Sequence, residues 1–208
     1  MKSKSFAILL TFFILSGCYP EGPEYIEDLD LVITNHDVAF DFKKYKTFSL
    51  PDRIVKVTGN LAEGEDPEFV NDATAALILG RIRENMKSYG WGEVAAGLDP
   101  DMIILPSAMQ STTLVYYYDY WYWDWYYPYY WWGWYYPYPI YGGSYTSGSV
   151  FMQMTYPDGI TAADNIPVVW SSILNGLLEG STSEVNNRIS KSVDQAFDQS
   201  PYLSVKSN

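Results

Sequence analysis

Lys2 and Lys4 open the chain, and an apolar run from Phe6 to Leu15 follows them. The run matches a signal-peptide core and falls well short of the roughly 20 residues a spanning helix needs. From Tyr19 to His36 the pattern is polar: Pro20 and Pro23 deny helix, and Glu21, Glu24, Glu27, Asp28 and Asp30 repel one another. Residues 18–36 are therefore expected to form an extended acidic tether. Strand-like alternation begins after Val38, with Phe40-Asp41-Phe42 and then Tyr45-Lys46-Thr47-Phe48-Ser49-Leu50, and stops at Pro51. The first strand is expected there. Residues 52–65 are polar and carry Gly59 and Gly64, so they read as loop.

Helical periodicity follows. Asp66 suits an N-cap, Pro67 the first turn and Glu68 the positive end of the helix dipole. Ala75, Ile78, Leu79, Ile82, Met86 and Tyr89 then repeat at the spacing of one buried face. Gly90-Trp91 resembles a glycine cap with its hydrophobic contact. Asp101 to Leu105 predicts a short buried strand. Val150, Met152, Met154 and Tyr156 alternate with Phe151, Gln153 and Thr155 in another. Pro157-Asp158-Gly159 reads as a turn and Val168 to Leu174 as the next strand. Ser181 and Glu184 make a capping-box pattern before a final helix with Val185, Ile189, Val193 and Phe197 in one row, stopped by Pro201. The order predicts a single α+β domain over residues 37–203: a mostly antiparallel sheet with two helices on one face, then a tail at 204–208.

Between the second and third of these strands lies Tyr116 to Tyr141, where 13 Tyr and 6 Trp fill 26 positions and no side chain is basic. It is expected to be a long hairpin or loop excursion, an insertion at 116–145, with Pro128, Gly133, Pro137 and Pro139 breaking its regularity. One buried ring covers about 150–250 Å², so the full set exceeds the roughly 300–600 Å² apolar patch a soluble monomer shows. Something must cover part of it. If residues 117–127 are extended, Trp121, Trp123 and Trp125 project to one side and Tyr120, Tyr122 and Tyr126 to the other. With Trp131, Trp132 and Trp134 they form the candidate interaction surface. Such rings suit sugar faces, partner surfaces or the lipid interface, while the two Asp and the prolines exclude a membrane-spanning role.

The net charge of −12, from 13 basic and 25 acidic residues, excludes a phosphate-tracking surface, so no nucleic-acid partner is expected. The single cysteine, Cys18, rules out an internal disulfide and a cysteine metal cage. Leu15-Ser16-Gly17-Cys18 resembles the bacterial lipobox at all four positions. By that resemblance residues 1–17 are a lipoprotein signal peptide, cleavage falls between Gly17 and Cys18, and Cys18 carries the acyl chains that anchor the protein. Tyr19 in place of Asp after the cysteine favours, by resemblance to the sorting rule of enteric bacteria, the outer membrane of a Gram-negative cell, facing periplasm or surface. The acidic residues behind Cys18 look like the export signals of Bacteroidota surface lipoproteins.

Several short segments together resemble domain-of-unknown-function family 4136: Tyr45-Lys46-Thr47-Phe48, Tyr89-Gly90-Trp91, Asp99 to Leu105, Val168-Val169-Trp170, and Val193 with Phe197 and Pro201. The resemblance implies a bacterial envelope lipoprotein, many Bacteroidota examples of which carry a Tyr/Trp/Gly/Pro-rich insertion at the corresponding place. Where that family has Trp-Arg-Gly after the last strand, this chain has Trp170-Ser171-Ser172. The family brings no established reaction with it.

The chain's own chemistry is sparse. His36, the only histidine, has no nucleophile or carboxylate at a catalytic spacing. No phosphate loop, nucleophile elbow, zinc helix or dinucleotide fingerprint occurs. Asp158-Gly159 with Asp164 lacks the acidic ladder of a calcium loop, and Asp99 and Asp101 read as the start of a strand. Asp119 and Asp124 could imitate a glycosidase pair, but five residues apart on a strand they point to opposite faces, and as charges they keep an aromatic strand from aggregating. No catalytic residue, metal or cofactor is expected. The expected function is that of a lipid-anchored, non-enzymatic binding or structural module whose partner is an envelope protein or the membrane. The alternatives are a glycan-binding surface lipoprotein, a glycoside-acting enzyme, and rings that merely stack and cover the sheet.

Overall fold

A computed structural model describes residues 31–57, 67–95, 97–109, 133–135, 148–162, 165–175, 177 and 182–206. The signal segment, Gly17 and Cys18, and the tether up to residue 30 lie outside them. The strands are β1 (Val32–His36), β2 (Thr47–Ser49), β3 (Val55–Val57), β4 (Gly92–Glu93), β5 (Met102–Met109), β6 (Gly133–Tyr135), β7 (Ser149–Thr155) and β8 (Asn165–Leu174). The helices are α1 (Asp72–Ser88) and α2 (Thr182–Asp198).

The strands form a mixed open sheet in the order β1-β8-β7-β5-β2-β4, with β3 also on β5 and β6 also on β8. The long ladders, β1 with β8, β8 with β7 and β7 with β5, are antiparallel, and the short ones are parallel. Pro106 lies inside β5 between the residues paired to β2 and those paired to β3, where that edge carries no ladder partner. A missing N–H is tolerable there. The fold is the expected α+β domain with two helices and a mostly antiparallel sheet.

Both helices pack on one face. Ile78, Leu79, Ile82 and Met86 of α1 and Ile189, Val193 and Phe197 of α2 share a core with Met102, Ile104, Met152, Met154 and Trp170. The end of α1 matches the expected cap: Trp91 N donates to Met86 O at 3.1 Å and Gly90 N to Lys87 O at 3.1 Å, with Gly90 at φ 98°. That is a Schellman motif, and the Trp91 ring is buried beneath it.

Four boundaries differ from the sequence reading. Val32–His36, expected as tether, is an edge strand, because its backbone pairs over five positions with β8 and Val32 is buried. The strand expected over 38–50 shrinks to Thr47–Ser49. Asp41 Oδ1 accepts from Lys43 N at 3.2 Å, and this cap turns Phe42–Lys44 into a 3-10 turn. The first helix starts at Asp72, with Asn71 Oδ1 accepting from Thr74 N at 3.0 Å, because Glu68 to Val70 are extended. Lys56 N donates to Glu68 O and Val70 N to Ile54 O, so this segment pairs beside β3. Finally, residues 55–57, expected as loop, form β3, because their backbone pairs in parallel with Ser107, Ala108 and Met109 of β5. The capping-box side chains before α2 lie outside the described residues.

Candidate interaction surface

The aromatic insertion is fixed to the sheet at three places. It leaves the carboxyl end of β5 at Met109 and returns at Gly148, whose N–H donates to Met109 O at 2.9 Å. Between these points β6 pairs in parallel with β8, Gly133, Trp134 and Tyr135 opposite Asn165, Ile166 and Pro167. Because β8 runs antiparallel to β7, that contact lies at the opposite end of the sheet from Met109 and Ser149. Trp134 thus has its backbone in a strand. Trp121, Trp123, Trp125, Trp131, Trp132, Tyr120 and Tyr122 lie outside the described residues, as do Asp119 and Asp124.

Beside the β6 contact the structure brings two rings of the first expected strand, Phe40 and Tyr45, together with Tyr156 from the end of β7. Tyr45 stacks on Phe40 with centroids 5.2 Å apart and planes 9° from parallel. Tyr156 stands 5.0 Å from Tyr45 and edge-on to Phe40 at 5.3 Å. They line an open cleft of about 420 Å³ together with Asp37, Asp41, Lys44 and Pro167. Burial, followed by the hydrogen bond with Tyr156, pushes the Tyr45 hydroxyl up to about 12, so it stays protonated across the physiological range. A 3-10 turn at Phe42–Lys44 separates Phe40 from Tyr45 within this cluster, and it leaves no clear periodic signal.

The remaining candidates have structural partners. His36 stacks on Tyr202 at 3.6 Å, and burial lowers its pKa against the opposing pull of Asp37. Asp101 Oδ2 accepts from Lys46 N, Thr47 N and Thr47 Oγ1, each at 2.8 Å, and so joins β2 to β5. Burial would raise its pKa, but these hydrogen bonds outweigh burial and hold it below the usual carboxylate range. Glu93 behaves alike: burial is outweighed by Arg83 and Lys87, which bond its two oxygens. Asp158-Gly159 lies in a 3-10 turn. Among the described residues no group of three or more His, Cys, Asp or Glu could hold a metal ion, and no helix is long and apolar enough to cross a membrane.

A solved structure of a DUF4136 family protein from Bacteroides thetaiotaomicron VPI-5482 is similar, with 33% identity, a TM-score of 0.68, and cover of 85% of this chain and 98% of that one. A PelC dodecamer from Paraburkholderia phytofirmans gives 13% identity and a TM-score of 0.39, covering 85% of this chain and 99% of that one. A PDZ domain protein from Parabacteroides distasonis ATCC 8503 gives 13% and 0.41, covering 82% of this chain and 36% of that one. Neither of these two adds to the argument. No curated protein matches the sequence. The family described as "Domain of unknown function (DUF4136)" matches residues 32–202, from the first residue of β1 to the closing turn after α2, and the chain belongs to that family.

Proposed function

We propose that this chain is a lipid-anchored protein of a Gram-negative outer membrane, held by acyl chains on Cys18, that acts without catalysis by presenting its Tyr/Trp-rich segment to an envelope protein or to the membrane interface. The observation that carries the reading is the concentration of 19 rings in 26 residues, in an insertion whose two ends meet at one end of the sheet. Tyr and Trp combine apolar area with a polar edge and few rotatable bonds, which suits them to interfaces. The lipobox-like Leu15-Ser16-Gly17-Cys18 supports the anchor, and the acidic residues before Val32 would space the domain from anionic head groups.

Mass analysis of the native protein tests the anchor: an acylated amino-terminal Cys18 is expected, and an unmodified thiol on an uncut chain removes it. Pull-down from intact envelopes, with and without residues 116–141, tests the surface. Equal recovery of every partner by both forms would exclude it.

A second reading, glycan binding, is favoured by the ring-lined cleft of about 420 Å³ beside the β6 contact. Tryptophan emission should then shift on a glycan array, and a flat response across the array rejects this reading.

A further inference from the structure

We propose that the cleft beside β6 is a docking site for an arginine side chain of a partner protein, with the guanidinium lying over the rings of Phe40, Tyr45 and Tyr156 and donating to Asp37 and Asp41. This goes beyond the proposed interaction, because the surface belongs to the scaffold itself and the group recognised is a cation, which neither the aromatic insertion nor the glycan reading requires.

Three half-buried rings shape the site. The planes of Phe40 and Tyr45 are 9° apart, while Tyr156 is turned by 63° from the first and 55° from the second, so the cleft presents ring surface in two orientations. The rings already rest on one another, and little side-chain freedom is lost when a ligand arrives. Val38, between the lining residues Asp37 and Ala39, is 89% exposed and offers apolar surface to the stem of a long side chain.

The charge around these rings is negative. Asp37 Oδ1 accepts from Ala39 N at 2.9 Å and Asp41 Oδ1 from Lys43 N at 3.2 Å, so the backbone fixes both carboxylates through one oxygen of each. The second oxygen of Asp41 meets Lys44 Nζ at 3.8 Å in a largely exposed pair, which is a weak contact. Asp158, in the turn that holds Gly159, adds to the negative field at Tyr45. His36, next to Asp37, has its pKa lowered by burial and is uncharged at pH 7. Among the residues lining the cleft the basic side chain is Lys44 alone.

A phosphate-bearing ligand is repelled by such a field, and a neutral one makes no use of it. A guanidinium matches both features: it stacks flat on an aromatic face, and its N–H fork donates to a carboxylate. The chain itself contains such a pairing, since the Arg53 guanidinium carbon lies 3.4 Å from the centroid of the Phe69 ring.

Titration of the full chain carrying Cys18→Ser with N-acetyl-arginine amide, followed by NMR, tests this. Amide signals from Asp37 to Tyr45 should shift and saturate. N-acetyl-citrulline amide, which has the same shape with a neutral urea, should bind at least about threefold more weakly. Added salt should weaken the arginine compound and leave the citrulline compound unchanged. Asp37→Asn combined with Asp41→Asn keeps the oxygens that accept from Ala39 and Lys43, and should abolish the difference between the two compounds. Equal binding of both by the native chain overturns the proposal, as does tighter binding of choline or of a methyl glucoside than of the arginine compound. So does a difference that survives in the folded double variant, or the absence of any shift at these residues. If the double variant fails to fold, the comparison of ligands on the native chain decides. Neither the pull-down with and without residues 116–141 nor the glycan array reads these carboxylates, so the proposals fail separately.

Discussion

Gly159 occupies a position with no room for a methyl group. A Cβ there would lie 2.4 Å from Tyr156 Cδ1 and 3.1 Å from Pro167 Cγ. Gly159→Ala should therefore push Tyr156 off Tyr45 and Phe40 and destabilise the domain by about 1–3 kcal/mol, as overpacking does. Chemical denaturation measures it, and in a Tyr156→Ala background the same substitution should be nearly neutral. Asp101 makes the converse case, a carboxylate held by donors. Its folded pKa is depressed, so it contributes stability above its unfolded value near 3.9, and that stability is lost as pH falls through the folded pKa. Asp101→Asn should cost about 1–3 kcal/mol at pH 7 and much less near pH 2, read from urea midpoints at the two pH values. The sequence reading set Asp101 at the head of a strand. It could not see Lys46 and Thr47, whose amides arrive from more than fifty residues away.

At the scale of elements, the two helices illustrate how unequal their contacts are. Ile82 is fully buried between α1 and the sheet, and Ile82→Ala should cost about 2–5 kcal/mol through lost burial and the cavity left behind. Asp194 of α2 links the helices differently, accepting from Arg81 and, at 2.8 Å, from Asn85 Nδ2. Both ionic side chains are about one third exposed, so Asp194→Asn should cost no more than about 1 kcal/mol and less in high salt. Thermal unfolding of the two variants side by side checks the ranking. Both helix faces were legible because i, i+3, i+4 spacing is local, and the Gly90-Trp91 cap was legible for the same reason. The start of α1 was not, since Asp66-Pro67-Glu68 also favours initiation and only the pairing of Phe69 and Val70 beside β3 defers the helix to Asn71.

For the whole molecule, the amino-terminal boundary matters most. β1 covers the outer edge of β8 over five paired residues, and both its start and the family match fall at Val32. A chain beginning at Leu31 should keep the unfolding midpoint of the longer protein. One beginning at Val38 uncovers β8 and should unfold at least about 5 °C lower, given roughly 2–4 °C per kcal/mol for a domain of this size. Scanning calorimetry of the two truncations distinguishes them. An equal midpoint would return Val32–His36 to the tether. Both ends of the aromatic insertion meet beside Met109, so its length adds little to the loop-closure cost of joining β5 to β7, which grows only slowly with residues added. A long insertion is compatible with this scaffold on those grounds.

The amino-acid sequence alone determined the features that neighbouring residues can specify: two amphipathic helices, the glycine stop of the first, the α+β class, and the place of the ring-rich insertion between two strands. Tertiary structure decided which short segments become strands and which rings meet. β1, β3 and β4 exist because distant backbone donors and acceptors find one another. Phe40 and Tyr45 stack across a 3-10 turn, and Tyr156 joins them from the end of β7. Periodicity reports which side of an element avoids water. The partner it finds there is set by hydrogen bonds and contacts between residues far apart in the chain, and no local pattern encodes them.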